Sequence, residues 1–237
     1  MVPSSRFTSL VKPDRRRVLT VCKRLAAEYP NTRLGNKANP LNEYLYIMLS
    51  LRTHGPGLLA SYRCFKQAFP SWSSAATAST KQIATVIATG GLARQKASRI
   101  KDALTRIRGH FGEVSLRGLS EMPQAQVEQF LLGLPGIGIK SAKCIMMYSL
   151  GFDVLPVDVH VARISRRLGW VNTGSTIKLH QLLEELIPPR KRFAFHVNCI
   201  QHGRTVCRGQ NPRCDTCCLS KHCPKIGVRK SPNTPAR

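Results

Sequence analysis

From residue 41 onward, apolar side chains return every three or four positions, in stretches separated by glycine and proline. That spacing places side chains on one face of an α-helix. Asn39 followed by Pro40 has the form of a helix start, an N-cap ahead of a residue that needs no backbone donor, and it opens the run LNEYLYIMLSLRT. Further helices are predicted over 57–69, 80–89, 94–110, 124–132, 140–150, 157–168, 177–186 and 191–206. Between them stand Gly90-Gly91, Gly112, the stretch from Leu134 to Gly138, Gly151, Gly169 and Pro188-Pro189. There is no convincing run of strands, and no unit repeats at a fixed interval. The expected fold class is all-α, with 225–237 as a disordered basic tail.

A chain of 237 residues with 42% hydrophobic content can build a real core. Its charge changes the picture more: 37 Lys and Arg stand against 12 Asp and Glu, a net +25. Such a surplus points to a polyanionic partner, by default nucleic acid. An anionic membrane surface fits less well, because the basic residues are spread along the whole chain and not gathered on one amphipathic stripe. No membrane span is expected, since the longest apolar stretch, over 144–162, is broken by Asp153 and Asp158. The beginning, MVPSSRFTSLVKPDRRR, lacks the apolar centre of a secretory signal; its Arg/Ser-rich character weakly suggests a transit peptide, and a frayed basic arm is the simpler reading. The expected location is cytoplasm and nucleoid in a prokaryote, or nucleus or mitochondrion in a eukaryote.

Of nine cysteines, five fall in CRGQNPRCDTCCLSKHC, giving Cys207-x6-Cys214-x2-Cys217-x5-Cys223 with Cys218 left over. An odd count without a secretion signal argues against a disulfide framework. Structural zinc usually takes two close pairs, and only Cys214 and Cys217 form one. The staggered spacing suits a cubane iron–sulfur cluster better, while leaving zinc open. Cys22, Cys64, Cys144 and Cys199 lie in helical patterns with apolar neighbours and are expected to be small core residues.

The stretch LPGIGIKSAK combines a Gly136-x-Gly138 turn with an immediate helix start. Backbone N–H groups in such a turn, with the positive end of the helix behind them, make a phosphate site. An ordinary helix–helix turn would need the same glycines. Two further residues raise the prospect of chemistry: Lys140 in the first turn of that helix, and Asp158 in LPVDVHVAR, after which no acid occurs until Glu184. Lys140 is otherwise a solvated lysine, and Asp158 an N-cap, a role compatible with chemistry.

In order along the chain, LPGIGIKSA, VDVHVAR and the C-x6-C-x2-C-x5-C loop resemble the endonuclease III branch of the helix-hairpin-helix DNA glycosylases. The resemblance implies two helical lobes with the DNA cleft between them: a six-helix barrel with the hairpin over 40–151, and an iron–sulfur lobe built from 1–39 and 152–224. It implies a [4Fe-4S] cluster on Cys207, Cys214, Cys217 and Cys223. It further implies Lys140 as the amine that attacks the sugar C1′ and Asp158 as the carboxylate that supports base loss. Gly136, Gly138, Ser141 and His160 would contact DNA. Lys143, one turn on, is a rival amine by geometry but matches no family position. Where the oxidised-pyrimidine enzymes carry a glutamine that fills the hole left by the flipped base, this sequence has Arg52; Leu92 matches the second wedge residue. The length of 116–138 and RRLGWV look more like the archaeal-type and plant 5-methylcytosine glycosylases. The expected activity is a bifunctional glycosylase/AP lyase of base excision repair, monomeric, acting on a modified pyrimidine in double-stranded DNA. The alternatives are an enzyme for mismatched, deaminated or methylated cytosine-derived bases opposite guanine, and a non-catalytic DNA-binding iron–sulfur protein.

Overall fold

In the computed structural model, which describes residues 13–53 and 55–228, every regular element is helical. Asp14 starts α1 (Arg15–Glu28) by accepting a hydrogen bond from the Arg16 N–H, and Val18, Val21, Cys22 and Leu25 form its buried stripe. This helix was not among those predicted from periodicity, because arginine and lysine fill the positions between the stripe residues. It belongs to a compact unit made of the segments up to Leu34 and from Asp153 on.

The second unit is Gly35–Phe152. It begins five residues before the expected boundary at 40, because Asn36 Nδ2 and the Lys37 N–H bond the Glu43 carboxylate, at 2.5 and 2.6 Å, and so tie the incoming chain to the next helix. That helix, α2 (Pro40–Ser50), starts as read from sequence: Asn39 Oδ1 accepts from the N–H groups of Leu41 and Asn42. It is buried almost all round, as a helix at the centre of a bundle must be. Around it lie α3 (Pro56–Ala68), α4 (Trp72–Thr77), α5 (Thr80–Val86), α6 (Ala93–Phe111), α7 (Gln124–Leu132) and α8 (Ile139–Ser149). Helix α4 has no apolar stripe long enough to read; serine capping boxes at Ser71 and Ser79 delimit it and its successor. Cys64 is exposed, against expectation, because the buried face of α3 is set by Leu58, Ser61 and Phe65, and Cys64 lies roughly a quarter turn away.

The first unit continues with α9 (Val159–Arg167), α10 (Thr176–Leu186) and α11 (Arg192–Thr205). Val18, Val21 and Leu25 of α1 share a core with Val161, Ile164, Leu183, Phe195 and Cys199, and the Trp170 and Phe195 rings stack 6.0 Å apart. Residues 225–228, expected to open a disordered tail, form a turn tied to the end of α9 by the Ile226 N–H, which bonds the Arg167 carbonyl at 3.1 Å. The rest of that tail, 229–237, lies outside the described residues. Among the described residues no helix is long and apolar enough to cross a membrane.

Candidate active site and cysteine loop

Helices α7 and α8 are joined by Gly133 to Gly138, and the joint is held from below. The Tyr44 hydroxyl of α2, fully buried, is shared between the carbonyls of Pro135 and Arg99, each at 3.2 Å. Gly136 adopts φ +81°, and a Cβ there would lie 2.9 Å from Met48 Cε and 3.0 Å from Arg99 Cδ, so both conformation and space call for glycine. Arg106 Nη1 donates to the Gly133 carbonyl at 2.8 Å. Gly138 is the N-cap of α8 and offers no side chain, which leaves the first N–H groups of that helix without a side-chain cap.

Lys140, half-buried, is the second residue of α8, and Ser141 follows it in the same turn. The buried carboxylate of Glu43 lies within electrostatic reach of Lys140; burial pushes the Glu43 pKa up, opposed by its hydrogen bonds and by the two lysines, Lys140 and Lys37. Lys143 is not an equivalent amine: its side chain is buried and its Nζ lies 3.5 Å from Glu128 Oε2 on α7, an ion pair that ties the two hairpin helices.

Asp158 lies in the other unit, at the end of an extended segment, Val154 to Val157, whose side chains are all buried. The Leu155 N–H donates to Glu184 Oε2 at 2.8 Å and the Val157 N–H to His180 Nε2 at 3.2 Å; the other His180 nitrogen, which therefore holds the proton, donates to the Thr176 carbonyl. Asp158 is the N-cap of α9, its Oδ1 accepting from His160 and Val161 N–H groups at 3.0 and 2.9 Å. Its Oδ2 is bonded to none of the described residues. Capping thus immobilises the carboxylate through one oxygen.

The His160 ring, expected to touch DNA, packs against Gly203 of α11 and accepts at Nδ1 from Arg163 Nη2 at 2.9 Å, leaving Nε2 as the ring nitrogen for a ligand. Burial is the main cause holding its pKa below the usual histidine range. Arg163 also donates to the carbonyls of Cys207 and Gly203, so α9 is bolted to the start of the cysteine loop.

Cys207, Cys214, Cys217 and Cys223 line one small cavity, together with Arg167, Val206 and Pro212. Cys218 does not line it; it packs on the unit's apolar core. Among the described residues no group of three or more His, Cys, Asp or Glu side chains is arranged to hold a metal ion. Donors are aimed at the sulfurs: Arg167 Nη1 at Cys207 (3.2 Å), the Leu219 N–H at Cys217 (3.4 Å) and the Lys225 N–H at Cys223 (3.4 Å). His202 Nε2 lies 3.4 Å from Cys217 Sγ, and its Nδ1 is bonded to the Tyr29 hydroxyl at 2.9 Å. Burial pushes the Cys217 thiol up to about 11 and raises Cys223 as well, each opposed by its N–H donor. Half-buried thiols, three of them with N–H donors that favour anionic sulfur, could hold a thiolate-bound metal group.

Arg52 and Leu92 are exposed, and both adopt left-handed conformations, φ +52° and +51°, that L-residues rarely take. Arg163, Arg167, His180 and Glu184 were missed at the sequence level, since nothing in their spacing announces hydrogen bonds to distant backbone.

A model of the HhH-GPD superfamily base excision DNA repair protein matches residues 45–189. Endonuclease III of Thermotoga maritima is 29% identical over 187 residues, covering 79% of this chain and 84% of that protein. DNA glycosylase/AP lyase ROS1 of Arabidopsis thaliana is 28% identical over 170 residues, 64% of this chain; the match spans only 12% of the plant protein's length. A solved non-covalent endonuclease III–DNA complex superposes with a TM-score of 0.76 at 22% identity, covering 90% of this chain and 96% of that one, a likeness of fold.

The contact of His160 with Gly203 generates a direct expectation. A Cβ at Gly203 would overlap the ring, whose Cγ would lie 2.9 Å away, so Gly203→Ala is expected to lower stability by about 1–3 kcal/mol through overpacking. Thermal melting checks this; an unchanged midpoint would show that the ring moves aside freely.

Proposed function

The chain belongs to the HhH-GPD superfamily of base excision DNA repair proteins, and on that premise we propose that it is a bifunctional DNA glycosylase/AP lyase acting on a modified pyrimidine in double-stranded DNA. The observation that supports this reading best is the occurrence, in one chain, of a half-buried lysine behind a rigid, uncapped glycine turn and of a carboxylate held through one oxygen only. A protein that merely bound DNA would need the turn and the basic surface, and neither of those groups.

The target nucleotide leaves the base stack and its backbone is gripped by the N–H groups after Gly136 and Gly138, which need no side chain and approach phosphate closely. As the glycosidic bond breaks, the departing base takes the bonding electrons and the sugar becomes cationic; the free oxygen of Asp158 stabilises that charge. The Lys140 amine then bonds C1′, losing a proton as the sugar ring opens, and gives a Schiff base. That iminium acidifies the C2′ hydrogen, whose removal expels the 3′ phosphate by β-elimination and cuts the strand. Cys207, Cys214, Cys217 and Cys223 would hold a [4Fe-4S] cluster, which when bound replaces the thiol protons with a cationic core and orders the loop. Arg208, Arg213 and Lys221 in that loop can then face phosphates.

Lys140→Gln is expected to abolish borohydride trapping on abasic duplex while leaving abasic-DNA binding largely intact. Trapping that survives in Lys140→Gln and vanishes in Lys143→Gln would reassign the nucleophile. Asp158→Asn should slow base excision by about 10²-fold or more, and strand cleavage at preformed abasic sites much less; equal losses would remove its assigned role.

The purified protein should be yellow-brown with about four irons per chain, and Cys218→Ser should keep both colour and iron. A colourless, zinc-loaded protein of full activity would refute the cluster assignment.

Arg52 favours a second reading within the same chemistry, a preference for guanine opposite the excised base. Its guanidinium can donate bidentate hydrogen bonds to guanine acceptors once that base has lost its partner. Single-turnover excision opposite each of the four bases, in wild type and Arg52→Gln, tests it: a guanine preference of about tenfold that disappears in the variant is expected. A uniform loss with a shallower salt dependence would make Arg52 a backbone contact.

A further inference from the structure

Lys96 is one of the largest fully buried side chains in the molecule, at 1% exposure, and it is charged. Its ammonium has three N–H donors and meets three oxygens: the Leu49 carbonyl at 2.8 Å, the Thr53 hydroxyl at 2.8 Å and the Gly90 carbonyl at 2.9 Å. All three are neutral. What favours a cation here is the C-terminal end of α2, where the dipole is negative and carbonyls run out of helical partners. The Thr53 N–H bonds the Ser50 carbonyl, not that of Leu49, and the lysine supplies the donor that Leu49 lacks. Burial holds the Lys96 pKa below the usual lysine value.

The three acceptors come from two different turns. Leu49 and Thr53 flank Arg52; Gly90 precedes Leu92, and the Lys96 backbone N–H bonds the Leu92 carbonyl at 3.0 Å. The Thr53 hydroxyl also bonds the Gly90 carbonyl directly. A Cβ at Gly90 would sit 2.6 Å from Ser61 Oγ, which in turn bonds Thr89, so a larger residue there would have to displace Ser61. One buried ammonium is therefore the common anchor of two turns, each presenting one exposed residue in a left-handed conformation. Such conformations persist only where the surroundings over-determine them.

We propose that Lys96 is a positioning residue for base extrusion: by stapling the 49–53 turn to the 90–92 turn it fixes Arg52 and Leu92 as one rigid pair, so that the two enter the duplex together. The inference rests on the reading of the chain as a base-flipping glycosylase, but not on its lyase chemistry. Rigidity matters because a group that must occupy the place of an extruded nucleotide loses its effect when displaced by about an ångström.

The test needs no turnover. A duplex with a tetrahydrofuran abasic analogue opposite 2-aminopurine reports insertion into the gap by a change in 2-aminopurine fluorescence on binding, measured at saturating full-length protein. In Lys96→Met that change is expected to fall by about fivefold or more, with a circular dichroism spectrum like that of the wild type. In the Arg52→Ala/Leu92→Ala background, adding Lys96→Met is expected to have no further effect, because coupled residues are not additive. Lys96→Arg should not restore the signal, since a planar fork cannot reproduce three converging bonds. If Lys96→Met does not fold, Thr53→Val removes one acceptor from the same staple and is read by the same two criteria. A full fluorescence change in a folded variant, or an equal additional loss in the doubly substituted background, would overturn the proposal. Failure of borohydride trapping at Lys140 would instead overturn the lyase reading and leave this result standing.

Discussion

Carbonyl oxygen is the counter-partner on which this molecule depends. With 37 basic residues and 12 acids, carboxylates cannot neutralise its cations, and the ordered ones turn to the backbone. Arg167 bonds the carbonyls of Arg208 and Gly209, Arg192 those of Asp153, Glu184 and Ile187, Arg163 those of Cys207 and Gly203, and Lys101 those of Ala76 and Ala78. Several of these acceptors lie at or near helix C-termini or in loops, where the chain leaves carbonyls unpaired and the helix dipole is negative. The same arrangement satisfies the orphan carbonyls, ties sequence-distant segments together and leaves the remaining basic side chains for a polyanion. Hydrogen bonds from charged donors are among the stronger ones, so a loop held by guanidinium forks is restrained without a core of its own.

Several of the twelve acids do structural work that lysine and arginine cannot do. Glu43 fixes the entry to α2, Glu184 and Asp158 fix the segment that leads into α9, and Glu128 pairs with Lys143 across the hairpin. Asp158 caps its helix through Oδ1 alone, as Asp14 does at the start of α1.

Both groups assigned to chemistry stand at helix starts on rigid supports. The turn before Lys140 is locked by the Tyr44 hydroxyl and by the fit of Gly136 against Met48 and Arg99; the segment before Asp158 is locked by His180 and Glu184. Pre-organisation of this kind keeps reacting groups from paying conformational entropy at the moment of reaction. The cysteine loop follows the same logic through Arg163 and Arg167, which join α9 to its backbone and to the Cys207 sulfur.

Much was legible in the sequence, because helical periodicity, glycine punctuation and ligand spacing are local properties of a chain. The all-helical class, the Asn39–Pro40 helix start and the hairpin turn could be read there. Helix α1 was legible in principle from Val18, Val21, Cys22 and Leu25, but its basic residues drew the eye to charge instead of period. Other features depended on tertiary structure. Which lysine of α8 is sequestered turned on Glu128, twelve residues before Lys140, and the exposure of Cys64, the one cysteine of α3, turned on where its neighbours pack. Lys96 reads as one more surface lysine among many, since its three acceptors come from residues 49, 53 and 90. A hydrogen bond from a side chain to a distant carbonyl leaves no mark on composition or spacing: every residue offers a carbonyl, and only the fold decides which of them a buried cation will find.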